Sequence, residues 1–399
     1  MASFNLETLV RPNILALEPY RCARDDYQLG ILLDANENTH GPSLATLAAE
    51  EAAQDLNRYP DPHQPHVKQL LCDLRNADGT PLAPQPLDSD SPLAPLTPAN
   101  ICLGVGSDES IDALIRVFCK PGVDKLLTCP PTYGMYAVSA QVNDVEVVKI
   151  NMHFDKGNFQ INTDAVATAL AQDPSIKLVY ITSPGNPTAT LIEPARIERL
   201  LNHPTWNGIV IVDEAYIDFA PAGSSFAPLV TKYPNLAVLQ TLSKSFGLAG
   251  VRLGCTFADA PVAQILNNLK APYNISTPTS QLAERALSPE GIAVMHKNVK
   301  LIIEERTRVT EELKKLPRIG EFLSAPDANF VLVEFLDKQG KPSSEVALKI
   351  YTYLAENKQI VVRFRGKEPG CEGALRISIG TNEENTVLLE EIKKSFELY

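Results

Sequence analysis

The sequence predicts an α/β protein with a large, mostly parallel sheet followed by a smaller α+β unit. Two observations carry this expectation. From about residue 101, short apolar runs alternate with helix-like segments: ICLGVG leads into SDESIDALIRVFCK, and DKLLTCP, VEVVKI, KLVYIT, GIVIVDEA and AVLQTLS follow at intervals. Such alternation is the mark of buried strands joined by crossover helices. After about residue 275 the pattern changes. A long charged helical segment, GIAVMHKNVKLIIEERTRVTEELKKL, leads to strand candidates FVLVEF, IVVRFR and LRISIG and then to a closing helix, EENTVLLEEIKKSFEL.

The expected organisation is an arm over residues 1–40 that completes part of the smaller unit, a large domain over 41–275, and the small domain over 276–399. Residues 78–98, DGTPLAPQPLDSDSPLAPLTP, hold six prolines and no periodicity. Proline removes ladder donors and breaks helices, so this stretch reads as an inserted surface loop. The run EERTRVTEELKK reads as an exposed helix face with i,i+4 ion pairs. His63 and His66 stand between prolines, which argues for a solvated turn and against a helical metal pair.

Bulk composition narrows the function classes. With 399 residues and 44% hydrophobic content, the chain can bury a large core. A formal net charge of −12 argues against general binding to nucleic acid or a membrane surface, so any anionic ligand must be held by a local basic cluster. The seven cysteines are scattered, odd in number and never in a C-x-x-C pair, which suits a reducing compartment. The start MASFNLETLVRPN has no apolar core of signal-peptide type, and no apolar run approaches membrane-spanning length. A soluble, cytoplasmic protein is expected.

In an open parallel sheet, residues at strand ends are the candidates for a site. Four motifs stand there. In GVGSDES, a strand ends at Gly104 and Gly106, and Ser107, Asp108 and Glu109 open the next helix. Its free N–H groups can cradle a phosphate, or the two acids can simply cap the helix. In TSPGNPTAT, prolines and a glycine bound Asn186, which a plain turn also explains. Asp213 follows the apolar run of IVIVDEAYIDF directly, with Tyr216 three residues on. A carboxylate at the mouth of a buried strand is costly without a cationic partner, although helix capping competes as a reading.

The fourth motif, TLSKSFGLAGVRLG, places Lys244 between Ser243 and Ser245 and upstream of Arg252. Lys244 is either a solvated turn residue or a nucleophile on a tight loop. Taken together, Asp213 for a pyridinium nitrogen, Asn186 and Tyr216 for a ring oxygen, the helix start at Ser107 for a phosphate and Lys244 for an aldehyde carbon describe a site for pyridoxal 5′-phosphate.

In that order, the motifs LDANEN, RYPDP, GVGSDE, PTYGMY, SPGNPT, VDEAYIDF, LSKSFGLAGVRLG and LRISIGT resemble the histidinol-phosphate aminotransferase family, nearly end to end. The proline-rich 78–98 stretch departs from the family's compact pattern. The resemblance implies a fold-type I PLP-dependent transferase, with the cofactor in the large domain. Lys244 would carry the cofactor covalently and then move a proton between substrate Cα and cofactor C4′. Asp213 would keep the ring nitrogen protonated, Asn186 and Tyr216 would bind the ring O3′, and Tyr133 would stack on the ring. Ser107, Asp108 and Glu109, through the loop backbone, would hold the phosphate together with Ser243, Ser245 and Arg252. Tyr59, in RYP, would enter the neighbouring subunit's site, which implies a homodimer with shared sites.

The resemblance also implies the reaction of L-histidinol phosphate with 2-oxoglutarate to give imidazole-acetol phosphate and L-glutamate, in histidine biosynthesis. Arg376 would bind the α-carboxylate of glutamate, for which bidentate guanidinium pairing gives the physical reason. Arg363, with Tyr20 and Asn36, would hold the substrate phosphate, with Arg365 as a neighbour; a solvated basic strand face is the competing reading of Arg363 and Arg365. An aromatic-amino-acid aminotransferase and a threonine-phosphate decarboxylase use the same kind of cofactor site, and a regulator that binds cofactor without turnover is the alternative from another class.

Overall fold

The computed structural model describes residues 4–18, 49, 54–78, 93–155 and 158–398. Tyr20, Asn36 and most of the proline-rich stretch lie outside the described residues.

Thirteen strands are described: β1 (Ile101–Val105), β2 (Lys125–Thr128), β3 (Glu146–Lys149), β4 (His153–Asp155), β5 (Asn158–Gln160), β6 (Ile176–Thr182), β7 (Ile209–Asp213), β8 (Leu236–Thr241), β9 (Leu253–Ala258), β10 (Ile319–Phe322), β11 (Phe330–Phe335), β12 (Arg363–Phe364) and β13 (Ala374–Ser378). Seven of them form one sheet in the order β1-β9-β8-β7-β6-β2-β3. Only β9 runs against its neighbours, pairing antiparallel with β1 and β8 while the other pairs are parallel.

The central strands are apolar on every residue because both faces of the sheet are covered. β7 and β8 are buried along their whole length. One face packs on a cluster with Leu71, Val179, Val212 and Val238, and the other on a cluster with Ile111, Phe118, Tyr180 and Ile211. Helix Gly106–Phe118 belongs to the second cluster, and its buried Ile111, Leu114, Ile115 and Phe118 recur at the spacing of one helical face. β9 carries no clear strand signal of its own, since Gly254 and Thr256 interrupt its apolar run.

The smaller sheet is antiparallel, in the order β10-β11-β13-β12. Val331, Val333, Leu375 and Ile377 pack with Leu388 and Ile392 of the closing helix Asn382–Leu398. Helix Pro289–Lys314 departs from the simple exposed face expected for EERTRVTEELKK. Arg306 is buried and donates to the Ala328 carbonyl at 2.5 Å, and the pairs within the run are i,i+3: Glu305 with Arg308, Glu311 with Lys314 and Glu312 with Lys315.

The described part of the N-terminal arm does not join the small sheet. Leu9, Val10 and Ile14 are buried in the same cluster as Phe118 and Leu266, against the large sheet. Where the chain returns from the proline-rich stretch, Leu96 is buried, and its N–H donates to Asn76 Oδ1 at 2.9 Å while its carbonyl accepts from Asn76 Nδ2 at 3.1 Å.

Candidate active site

Because β6, β7 and β8 are adjacent and parallel, their C-terminal residues Thr182, Asp213 and Thr241 lie along one edge of the sheet. The segments leaving that edge carry Asn186, Tyr216, Ser243 and Lys244. Facing them, the small sheet contributes Arg363, Phe364 and Arg376, with Arg365 just beyond β12. These residues, with Ser107, Asp108, Tyr133, Ala215, Ala249 and Arg252, line one cavity of about 470 Å³.

Asp213 forms the floor and is 3% exposed. Its Oδ2 accepts from the Tyr136 hydroxyl at 2.6 Å and its Oδ1 from the Ala215 N–H at 3.2 Å. Burial raises its pKa, while the two donors and the Lys244 charge favour the ionised form. Tyr136 is wholly buried and also bonds Thr182 Oγ1 at 2.9 Å. Tyr136, in the first turn of helix Met135–Val142, had no role assigned from PTYGMY, because its partner Asp213 lies 77 residues along the chain and leaves no local trace.

Lys244 follows β8 in the turn that leads to Arg252. Its side chain opens to solvent through the cavity, yet its amine lies 5.7 Å from the Tyr216 ring centroid. Desolvation by the surrounding protein, then the Arg376 charge, lowers its pKa from the ordinary lysine value. A lowered pKa leaves more of the amine free of its proton, as a nucleophile requires. The Tyr216 ring is packed edge-on against Phe330, with centroids 5.2 Å apart, so its orientation is fixed.

At one end of the cavity, Ser107 and Asp108 open helix Gly106–Phe118 beside Arg252. Gly106 has φ +73°, a backbone conformation that glycine adopts without strain, and it brings the helix start up against the Arg252 guanidinium. The Gly106 N–H donates to the Arg252 carbonyl at 3.1 Å, which ties the helix start to the Lys244 loop. Arg252 Nη2 lies 3.6 Å from Asp108 Oδ2, and Tyr133 donates to Asp108 Oδ1 at 3.2 Å. Free helix N–H groups next to a guanidinium make an anion cradle.

The opposite wall is cationic. Arg363 and Arg376 are directly paired across β12 and β13, so their side chains emerge from the same face of the small sheet. Arg376 donates from Nη1 to Asn186 Oδ1 at 2.5 Å, lies 5.2 Å from the Phe330 ring centroid, and has a buried Nε with no protein partner. Burial and the like charges of Arg365 and Arg363 lower its pKa. Arg365 is paired with Glu368 at 2.5 Å.

Three of the expected residues have side chains that do not line this cavity. The Glu109 carboxylate turns back to accept from the Val105 N–H and from Asn274 Nδ2, so it caps the strand-to-helix turn. The Ser245 hydroxyl points away from the cavity and donates to Asp218. Tyr59 is 52% exposed and stacks on Tyr273, with ring centroids 4.6 Å apart, outside this chain's cavity.

A family model described as "Aminotransferase class I and II" matches residues 30–392. A histidinol-phosphate aminotransferase of Schizosaccharomyces pombe is 53% identical over 398 residues, covering 99% of each chain, and one of Candida maltosa is 52% identical over 394 residues, covering 98% of each. The crystal structure of histidinol-phosphate aminotransferase from Sinorhizobium meliloti in complex with pyridoxal-5′-phosphate superposes with a TM-score of 0.71 at 22% identity, covering 91% of this chain and 90% of that one, and so shows the shared fold. With its strand-end carboxylate, loop lysine and helix-start anion cradle in one cavity, and relatives this similar over their whole length, the chain belongs to the class I and II aminotransferases and, within them, to the histidinol-phosphate aminotransferase family.

Proposed function

We propose that this protein transfers the amino group of L-histidinol phosphate to 2-oxoglutarate, using pyridoxal 5′-phosphate held by Asp213, Lys244 and the Ser107–Arg252 cradle. The observation that carries the reading is the placement of a buried carboxylate, a loop lysine and a helix start beside an arginine around one cavity. These residues fit the cofactor: Asp213 suits a protonated ring nitrogen, Asn186 and Tyr216 a ring oxygen, Tyr133 the ring face, and Ser107, Asp108, Ser243 and Arg252 a phosphate. The bound cofactor supplies the electron sink that stabilises negative charge at the substrate Cα.

The chain's own residues do the rest. Lys244, once its amine is free, takes the Cα proton and returns it. Asp213, whose charged form the Tyr136 and Ala215 donors favour, would face the protonated ring nitrogen. Arg376 binds the α-carboxylate of glutamate or 2-oxoglutarate, and its attachment to Asn186 couples substrate binding to the residue beside the cofactor oxygen. Arg363, with Arg365 nearby and Tyr20 and Asn36 from the N-terminal segment, receives the substrate phosphate. Three arginines on one wall of a chain with net charge −12 give the local positive field that two anionic substrates need.

The exposed Tyr59 supports a two-fold homodimer in which it reaches the partner's cofactor phosphate. The six described cysteines are buried and unpaired, in keeping with a reducing, cytoplasmic setting. Neither nucleic acid nor a membrane is a partner in this reading, and no helix among the described residues is long and apolar enough to cross a membrane. A substrate panel with 2-oxoglutarate as acceptor tests the reading. Histidinol phosphate should give the highest kcat/KM; faster turnover of phenylalanine or tyrosine, or release of carbon dioxide from threonine phosphate, would replace it.

A further inference from the structure

Behind the cavity lies a buried polar network that no role in the reaction yet accounts for. Arg75, in the last turn of helix Pro65–Ala77, is 4% exposed and uses each of its three nitrogens. Nε donates to Gln240 Oε1 at 2.7 Å, Nη1 to Asp78 Oδ2 at 2.7 Å, and Nη2 to Asp218 Oδ1 at 2.8 Å. The second Asp218 oxygen accepts from Ser245. Gln240 in turn donates to Glu214 Oε2 at 2.8 Å, and Glu214 also accepts from Ser225 at 2.7 Å and from the Phe226 N–H at 2.6 Å.

These contacts grip the chain on both sides of Lys244. Gln240 is four residues before it and Ser245 is the next residue, while Thr241 Oγ1 and Ser243 Oγ are 2.8 Å apart. A lysine stem has four rotatable carbons, so the protein can aim its amine only by fixing the backbone that carries it. The tether also sets distances. Asp213 and Asp218 belong to one short segment at the end of β7, so the segment that supplies the carboxylate floor also anchors the lysine loop.

We propose that Asp218, itself held by Arg75, is a positioning residue that acts through Ser245 to aim the Lys244 amine at the cofactor's aldehyde carbon. The inference rests on the proposed role of Lys244 as the amine that condenses with the cofactor aldehyde, releasing one water. It replaces the expectation that Ser245 binds the cofactor phosphate, since its hydroxyl is committed to the part-buried Asp218 carboxylate and neither residue lines the cavity.

The two roles of Ser245 separate with two probes on the cofactor-free full chain. Pyridoxine 5′-phosphate carries the phosphate and ring but an alcohol instead of the aldehyde, so it reports on binding alone. Pyridoxal 5′-phosphate reports on covalent attachment, through the rate at which its absorbance changes and through borohydride trapping. For Ser245→Ala, which leaves the Arg75–Asp218 pair intact, pyridoxine phosphate affinity should stay within twofold of wild type while attachment slows by about tenfold, the scale expected for losing a hydrogen bond to a charged group. Asp218→Ala should show the same split, and the double variant should be no slower than the worse single one.

If Asp218→Ala does not fold, Ser245→Ala decides alone. A parallel loss of pyridoxine phosphate affinity in Ser245→Ala would make Ser245 a phosphate ligand and overturn the proposal, as would an unchanged attachment rate. Failure of the wild-type chain to attach pyridoxal phosphate at all would instead overturn the functional reading.

Discussion

The Tyr136 hydroxyl donates to Asp213 Oδ2 at 2.6 Å, and both residues are buried. The bond works against the burial that raises the Asp213 pKa, because a donor aimed at a carboxylate favours its charged form. Burial raises the Tyr136 pKa well above the ordinary phenol value, so the hydroxyl keeps the hydrogen it donates. The Thr182 and Thr132 hydroxyls, 3.0 Å apart, continue the chain behind it.

Tyr136→Phe should therefore leave Asp213 less ionised and loosen its hold on a protonated ring nitrogen. A hydrogen bond to a charged group contributes about 1.5–3 kcal/mol, so kcat should fall roughly ten- to a hundredfold. Steady-state kinetics beside a cofactor-binding titration checks this, and a kcat within twofold of wild type would show that the Tyr136 bond is dispensable.

The second prediction concerns pH. Desolvation and then the Arg376 charge hold the Lys244 amine below the ordinary lysine value, and covalent attachment of the cofactor needs the deprotonated amine. The attachment rate should thus rise with pH and level off at a midpoint below that of an exposed lysine. In Arg376→Gln one depressing charge is gone, so the amine holds its proton to higher pH and the midpoint must move up. A midpoint that stays fixed or moves down would contradict the electrostatic coupling of the two residues.

Much of the site was legible in the sequence because its residues stand at the ends of unbroken apolar strands. Asp213 ends β7, Lys244 follows β8 closely and Ser107 follows β1, so sequence order already implied one sheet edge. The arrangement around that edge was less accessible. Glu109, Ser245 and Tyr136 were each near a recognised motif, yet their partners lie far along the chain: Asn274, Asp218 and Asp213. Side-chain direction within a tight turn depends on those distant partners, and no local pattern encodes it. β9 escaped notice for a related reason, since its burial comes from β1 and β8 on either side more than from its own composition.

The assembly prediction turns on Tyr59. If Tyr59 completes the partner's site, Tyr59→Ala and Lys244→Ala damage different sites of a mixed dimer in a fixed way: one site carries both defects and the other carries neither. Suppose each variant alone is nearly inactive. Refolding equal amounts together should then restore about a quarter of wild-type activity, since random pairing makes half the dimers mixed and each holds one intact site of two. No recovery, with mixed dimers demonstrably present, would place Tyr59 in its own chain's site or outside any site.

The most direct measurement of the central claim is a single half-reaction without any keto acid. Wild-type protein loaded with pyridoxal 5′-phosphate is mixed with excess histidinol phosphate, denatured, and its released cofactor quantified. The account predicts close to one pyridoxamine 5′-phosphate per chain, converted back by 2-oxoglutarate, with Lys244→Ala failing to convert at a comparable rate. Cofactor recovered unchanged from the wild-type protein after histidinol phosphate, but aminated after phenylalanine or tyrosine, would contradict it.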